Sequence, residues 1–213
     1  MTNIQFTSIT CQCCGVESTF EKVDRIDANK TPMFIDSIID WELFKFNCKE
    51  CSHQAMIEYP TLYHDKENRI IIQFSPLNDN AALTSQIASL LLEGLDIKHY
   101  QIRVVSELED FVEKVQIFCQ GFDDRAIELM KYLKSPTEVE DIQFAYEHMV
   151  FTKVGKNNYQ FMFIHNQDIV ASLDFDEELY EECYSEICDC TTNTFYINET
   201  WVEEFARHGK KMK

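Results

Sequence analysis

The sequence predicts an α+β protein, with a small β-rich module at residues 1–76 and a larger α+β region at residues 77–213. Up to residue 76, apolar residues fall in short, partly alternating runs that are rich in β-branched and aromatic side chains. Beyond residue 76, several segments follow a helical period instead. Two C-x-x-C pairs lie in the first part and none in the second, which also sets the module apart.

The first module is predicted to contain four strands and one helix. The helix follows from T-P-M-F-I-D-S-I-I, in which Thr31 is the expected cap and Pro32 suits the first turn. The turn-rich stretch S-P-L-N-D-N closes the module. The predicted strands are 18–25, 43–47, 54–59 and 69–74, and the predicted helix is 32–39.

The second region is predicted to begin with a helix that carries Leu83, Ile87, Leu90 and Leu91 on one face and stops at Gly94. Apolar stripes, caps and turn residues then predict the remaining elements. In order, these are a strand at 101–105, helices at 106–121 and 122–134, an antiparallel meander of 142–154, 159–165 and 169–175, a helix at 176–187, a short strand at 194–197 and a final helix at 198–206 capped by Asn198.

The chain is strongly acidic, with a formal net charge of −18, and the charge is unevenly spread. Residues 1–76 hold 11 acids and 7 bases, whereas residues 77–213 hold 26 acids and 12 bases. Such a charge repels a phosphate backbone at long range, so nucleic-acid binding is disfavoured, and a basic protein is the expected partner. The simpler alternative is a charged face that keeps the chain soluble.

The sequence favours a cytoplasmic protein with no membrane segment. Its first ten residues, M-T-N-I-Q-F-T-S-I-T, have neither a basic nor an apolar signal region, and no apolar run reaches membrane-spanning length. Thiols stay reduced in the cytoplasm, so the nine cysteines favour metal binding or chemistry over a disulfide framework.

Cys11, Cys14, Cys48 and Cys51 are the candidate metal ligands. Four thiolates in two C-x-x-C pairs match the tetrahedral preference of one structural Zn²⁺, so we expect a zinc-ribbon-like module. Gly15 supplies the positive φ that often follows the second cysteine of such a turn, which leaves Cys13 as a bystander unless the turn is built differently.

Other uses of the cysteines are weaker alternatives. A redox C-x-x-C normally opens a helix, but β-prone residues follow Cys14. A nucleophilic cysteine would need a nearby histidine, for which His53 and His64 are candidates. Cys183, Cys188 and Cys190 would form a second metal site only with further ligands, and few convincing ones accompany them.

The sequence resembles the CpXC domain family, which is named for paired Cys-Pro-X-Cys motifs. The resemblance rests on C-Q-C-C-G, on D-A-N-K-T-P-M-F-I-D-S-I-I-D-W-E-L-F-K-F-N-C-K-E-C and on Y-P-T-L-Y-H-D-K-E-N-R, and it continues through R-V-V-S-E-L-E-D-F-V-E-K-V-Q-I-F and G-F-D-D-R-A-I-E-L-M-K to about residue 134. It implies zinc binding by four cysteines and no particular activity. The chain departs from the family where Gln12 and Lys49 replace the prolines and Ser52 replaces the glycine after the second pair, which weakens the expectation for the second turn most.

We therefore expect a non-catalytic, zinc-stabilised protein whose acidic region binds a basic protein as an adaptor, regulator or inhibitor. Walker, Rossmann, H-E-x-x-H and G-x-S-x-G patterns are missing, which disfavours an enzyme. An unrecognised active site would be expected to use Cys13 or His64. The other alternative is a zinc ribbon that binds nucleic acid or the transcription machinery through Lys22, Arg25, Lys45, Lys49, Lys66 and Arg69.

Overall fold

The computed structural model describes residues 2–76, 94–135, 146–190 and 194–208. Within these ranges the chain is a mixed α+β protein with five α-helices and three sheets, which confirms the predicted fold class. It divides into two compact units, Met1–Val115 (unit 1) and Gln116–Lys213 (unit 2). The predicted helix that carries Leu83 and Leu91 lies outside the described residues.

Unit 1 is built on a five-stranded sheet of order β1-β2-β5-β6-β7 and a separate two-stranded sheet, β3-β4. In the larger sheet β2 and β5 run parallel, as do β6 and β7, and the other pairs are antiparallel. Single 3₁₀ turns occupy Glu42–Phe44 and Ile97–His99. The elements are β1 (Asn3–Thr10), β2 (Glu17–Asp27), α1 (Met33–Ile39), β3 (Lys45–Asn47), β4 (Gln54–Met56), β5 (Thr61–Asp65), β6 (Ile70–Phe74) and β7 (Gln101–Val105).

The predicted strands of unit 1 are confirmed at β2, β6 and β7, and two further strands, β1 and β5, were not predicted. The predicted strand at 43–47 was wrong in its first half, which is a 3₁₀ turn. The one at 54–59 ends at Met56, because the chain turns towards Pro60, which has no N–H to donate to a ladder. The Ile57 amide instead donates to the carbonyl of Phe44 at 2.8 Å.

Helix α1 is confirmed, but its predicted cap was wrong. Pro32 occupies the cap position and no side chain caps the helix. The Thr31 hydroxyl instead donates to the carbonyl of Asp27 at 2.9 Å. The sequence also predicted a module boundary after residue 76, whereas the compact units divide after Val115 and β7 pairs with β6 in the same sheet.

The core of unit 1 is aromatic where the hairpin β3-β4 meets the large sheet. Phe44 is fully buried, and its ring centroid lies 5.1 Å from Tyr59, 5.9 Å from Phe74 and 6.0 Å from Phe111. Phe20 of β2 adds edge contacts to Tyr59 and to Phe46 of β3. These rings hold the small hairpin against the sheet through apolar burial rather than through a shared ladder.

Unit 2 packs helices against an antiparallel sheet of order β10-β9-β8. Helix α2 begins in unit 1 and ends in unit 2, and α3 follows a turn at Gly121, whose φ is +79°. The elements are α2 (Leu108–Cys119), α3 (Asp124–Lys134), β8 (His148–Gly155), β9 (Asn158–His165), β10 (Asp168–Asp174), α4 (Glu177–Ile187) and α5 (Glu199–His208).

The predicted helices and meander of unit 2 are confirmed within the described residues. Asp176 caps α4 by accepting from the Leu179 amide, and Asn198 caps α5 by accepting from the Trp201 amide. The first predicted meander strand begins later, at His148, and the predicted strand at 194–197 was wrong, since those residues form no ladder in the described chain. The core of unit 2 brings together buried side chains of the helices and of β8 and β9, among them Phe151, Phe161, Cys183 and Trp201, and partly buried residues of β10 pack against it.

Among the residues that the structure describes, no helix is both long enough and apolar enough to span a bilayer.

Candidate metal centre

The two C-x-x-C pairs lie at the tips of two hairpins of unit 1. Cys11 and Cys14 sit in the turn between β1 and β2, where Thr10 pairs with Glu17. Cys48 and Cys51 sit in the turn between β3 and β4, where Asn47 pairs with Gln54. Each ladder therefore ends next to the turn that presents its two sulfurs.

Both turns have the same hydrogen-bond pattern. In the first, the Gly15 amide donates to the Cys11 carbonyl and the Cys11 amide donates to the Val16 carbonyl, both at 2.9 Å. In the second, the Ser52 amide donates to the Cys48 carbonyl at 3.0 Å and the Cys48 amide donates to the His53 carbonyl at 2.9 Å. Gly15 has φ +73° and Ser52 has φ +58°. Ser52 therefore adopts the same left-handed conformation as Gly15 in the first turn.

We expect Ser52→Gly to stabilise unit 1 and Gly15→Ala to destabilise it. A left-handed conformation costs a residue with a side chain roughly 1–2 kcal/mol, and glycine avoids that cost but loses some chain entropy on folding. The net gain at Ser52 is thus about 1 kcal/mol of unfolding free energy. A Cβ on Gly15 would meet no atom within 4 Å, so any loss of unfolding free energy in Gly15→Ala would come from backbone strain and not from a steric clash. Urea titration of both variants measures the two effects, and equal stability of all three proteins would contradict the strain argument.

The four sulfurs converge. The Cys11 and Cys51 sulfurs are 3.6 Å apart, as are those of Cys14 and Cys48, and all four lie within 4.8 Å of one another. Zinc–sulfur bonds of about 2.3 Å in a tetrahedron require sulfurs roughly 3.8 Å apart, whereas a disulfide requires about 2.05 Å. All four are free thiols. Four thiols at these separations can bind a metal ion.

The backbone of the turns favours ionised sulfur. Amide hydrogen bonds from Cys51 and Glu50 lower the pKa of Cys48 to about 6. The His53 amide also lowers the pKa of Cys51, but desolvation of the sulfur and the three neighbouring thiols outweigh it and raise that pKa. The Val16 amide and the Cys51 thiol lower the pKa of Cys14, but desolvation and the thiols of Cys48 and Cys11 outweigh them, so that pKa is raised. One sulfur thus ionises readily, and full ionisation of the cluster needs a cation to offset the repulsion.

Two of the four cysteines in the cluster are buried and two are exposed. Cys11 and Cys48, the first cysteine of each pair, are buried, and Cys14 and Cys51 are exposed. Each buried sulfur lies 3.6 Å from an exposed sulfur of the other pair. A bound ion would therefore join the two hairpins near the surface of unit 1 and restrain both turns.

The other sequence candidates lie apart from this cluster. Cys13 is exposed and is not one of the four converging sulfurs. His64 is buried on β5, with its Nε2 3.4 Å from the Tyr100 hydroxyl, and burial lowers its pKa. Cys183 is buried in unit 2, which raises its pKa to about 11. Within the described residues, Cys183, Cys188 and Cys190 do not form a second group with metal-binding geometry.

Comparison with known proteins agrees with this cluster. The family model described as CpXC protein matches residues 9–131, which is more than half of the chain and includes all four cysteines. No curated protein and no solved structure gave a significant match. The family match and the converging thiols together indicate a metal-binding protein. The chain belongs to the CpXC protein family.

Proposed function

We propose that this chain is a non-catalytic, cytoplasmic protein that is stabilised by one Zn²⁺ and binds a basic protein partner through helix α4. In this role it acts as an adaptor, a regulator or an inhibitor of that partner. The observation that carries the partner proposal is an ordered helix whose exposed face is acidic.

The donor set supports zinc as the metal. Cys11, Cys14, Cys48 and Cys51 would hold it, and four thiolates suit Zn²⁺ better than Mg²⁺ or Ca²⁺, which prefer oxygen ligands. Bound zinc supplies a fixed cross-link between four sulfurs. Because all four positions of a tetrahedron are then taken by protein sulfur, the site is structural and leaves no position for a substrate.

The acidic face of α4 supports a basic partner. Tyr180, Cys183 and Ile187 point into the core of unit 2, which fixes the opposite side of the helix towards solvent. That side exposes Glu177, Glu178, Glu181 and Glu182. The segment from Asp174 to Asp189 contains eight acids and no base.

Little within unit 2 offsets this charge. Asp176, which caps the helix, pairs with Lys134 at 3.2 Å, and none of the four exposed glutamates has an ion-pair partner among the described residues. Like charges three or four positions apart cost a few tenths of a kcal/mol each. A basic surface would remove that repulsion. Tyr184, 42% exposed beside these acids, offers an aromatic ring to an arginine or lysine.

The proposal predicts that replacing Glu177, Glu178, Glu181 and Glu182 with glutamine weakens binding to basic proteins. Glutamine keeps helix propensity and length, so the fold should persist while four charges are lost. At about 0.3–0.5 kcal/mol per exposed contact, the affinity should fall about tenfold. Quantitative pulldown from cell extract, followed by titration of the recovered basic protein at two salt concentrations, measures the loss.

A matched control removes four exposed acids of unit 1, as Glu17→Gln, Glu21→Gln, Asp36→Asn and Glu67→Gln. The net charge of the control equals that of the α4 variant, so a difference between them locates the effect on α4. Equal loss in both variants would indicate a general charge effect and contradict a site on the helix. Recovery of only neutral or acidic proteins would contradict the basic partner.

The alternative of nucleic-acid binding by the first module has less support. Of its candidate bases, Lys45 is 2.9 Å from Glu42 and Lys22 lies over the Tyr59 ring at 5.2 Å from the centroid. Salt-dependent binding of the full chain to DNA or RNA at low salt, lost on changing Lys49 and Lys66, would favour this alternative over the proposal.

A further inference from the structure

Strand β1 is an edge strand that is unusually open to pairing. It pairs only with β2, so its outer edge has no partner strand among the described residues. Seven of its eight residues are exposed, including Ile4 at 45% and Phe6 at 70%. Its sequence, N-I-Q-F-T-S-I-T, has no charged residue and no proline or glycine. Those properties favour addition of a further strand.

The edge strand β10 of unit 2 shows the protection that β1 lacks. It begins and ends with aspartate, at Asp168 and Asp174, and its pairing with β9 is interrupted between Ile169 and Ala171. Charges and bulges are the devices that keep sheet edges from pairing. In β1 the one irregularity lies at Asn3/Ile4, at the very start of the strand, and the ladder is regular from Ile4 to Thr10.

We propose that β1 pairs with β1 of a second copy of this chain, antiparallel and about a two-fold axis, to form a continuous sheet across two molecules. A two-fold axis perpendicular to the sheet puts the opposed side chains of the two strands on the same face. Side chains alternate between faces along a strand, so two opposed residues must both have odd numbers or both have even numbers. The register centred on the most exposed side chain places Phe6 opposite Phe6 of the other copy, Ile4 opposite Ser8 and Gln5 opposite Thr7. It forms an aromatic cross-strand pair at the axis.

Electrostatic repulsion between two copies is weaker at the uncharged edge of β1 than at surfaces that carry carboxylates. Two chains of net charge −18 repel each other wherever carboxylates meet. Glu21, the partner of Phe6 on β2, is the acid in register with the axis. It would lie three strand spacings, about 14 Å, from its copy. That separation exceeds the Debye length of about 8 Å at physiological salt, so the uncharged edge brings the molecules together with little repulsion.

The side chains next to the edge are already held in place. Asn3 and Gln5 donate from their amides to the two carboxylate oxygens of Asp24, at 2.7 Å and 2.8 Å. These hydrogen bonds connect β1 to β2, and they satisfy the Asp24 carboxylate with two amide donors. The strand therefore offers its outer edge without first having to become ordered.

Sedimentation equilibrium of the full, zinc-loaded chain from low to high micromolar concentration tests the proposal. The experiment uses reducing buffer and a Cys13→Ser background, because exposed Cys13 could form an intermolecular disulfide. We expect a reversible dimer, and Phe6→Lys should raise its dissociation constant about tenfold or more, because two lysines would then face each other. The matched control is Ile169→Lys, which places lysine at an equally exposed edge position on β10, 60% exposed in the wild type, and should leave the constant unchanged.

The register is tested separately with a photoreactive benzoylphenylalanine at position 6 in a mixture of ¹⁴N- and ¹⁵N-labelled chains. Mixed-isotope crosslinks to residues 4–8 support the two-fold pair. A monomer at every concentration, a dimer that Phe6→Lys leaves intact while its zinc content and circular dichroism are unchanged, or crosslinks confined to other segments would overturn the proposal.

Discussion

Replacing Cys48 with serine is expected to abolish zinc binding at the proposed site and to unfold the part of unit 1 that carries the four cysteines. Cys48 is buried, its sulfur lies 3.6 Å from that of Cys14, and backbone amides lower its pKa to about 6. Its buried position and its contact with the other pair make it central to the cluster. Structural zinc contributes about 10–16 kcal/mol in small zinc domains, and a whole domain is stable by only about 5–15 kcal/mol. Losing one ligand should thus outweigh the remaining stability of this region.

Elemental analysis of protein purified without chelator measures the zinc, and amide hydrogen exchange follows the two hairpins. Wild-type protein should contain one zinc per chain and should lose protection of β3 and β4 when a strong chelator is added. The matched control is Cys13→Ser, because Cys13 is two residues from Cys11 but lies outside the cluster. Full zinc content in Cys48→Ser, or equal loss in Cys13→Ser, would contradict the assignment of ligands.

The cysteine spacing and Gly15 favoured the four sulfurs that converge, because a C-x-x-C turn is a local structure with its own signals, but they left Cys13 open as a substitute. Ser52 weakened the prediction for the second turn, yet the structure gives Ser52 the same left-handed φ and the same hydrogen bond as Gly15. A serine can adopt this conformation when the ladder of β3-β4 and the turn bonds of Cys48 enforce it. Those contacts lie within the β3-β4 hairpin itself, but serine is not a residue type that marks a left-handed position, so the sequence carries no signal for them.

Strands β1 and β5 escaped prediction for different reasons. In β1 the alternation of Ile4 and Phe6 with polar residues is broken at Ser8, so the apolar period is too short to mark a strand. β5 is buried on every residue, including His64 and Asp65, so no alternation marks it either. Asp65 is accommodated by accepting from the Asn68 amide at 3.0 Å and from the Asn29 side chain at 3.0 Å. Prediction from apolar periodicity works where one face of an element is buried and the other is exposed to solvent. That condition holds for β2 and for the helices of unit 2, but not for β1 and β5.

Replacing Phe44 with alanine is expected to lower the unfolding free energy of unit 1 by about 3–5 kcal/mol. The ring is fully buried between Tyr59, Phe74 and Phe111, which belong to the segment after β4, to β6 and to α2. Its loss would leave a cavity where the hairpin that carries Cys48 and Cys51 meets the large sheet. The backbone of Phe44 also accepts from the Ile57 amide at 2.8 Å, so the surrounding chain is fixed and cannot easily collapse into the space.

The cysteine cluster, with the zinc proposed for it, and the Phe44 ring would join the same segments by independent means, and the two effects can be separated. The four cysteines sit in local turns at the hairpin tips, so Phe44→Ala should still bind one zinc per chain while its urea midpoint falls. With chelator present, the Phe44→Ala variant would lack both the metal and the aromatic contacts that hold the hairpin, so it should fail to fold. Met33→Ala is the control, since Met33 is 64% exposed and its truncation should change stability by no more than about 0.5 kcal/mol. A loss below about 1 kcal/mol in Phe44→Ala would mean that the hairpin is held to the sheet by the metal alone, and the aromatic contacts would then be a consequence of folding and not a cause of it.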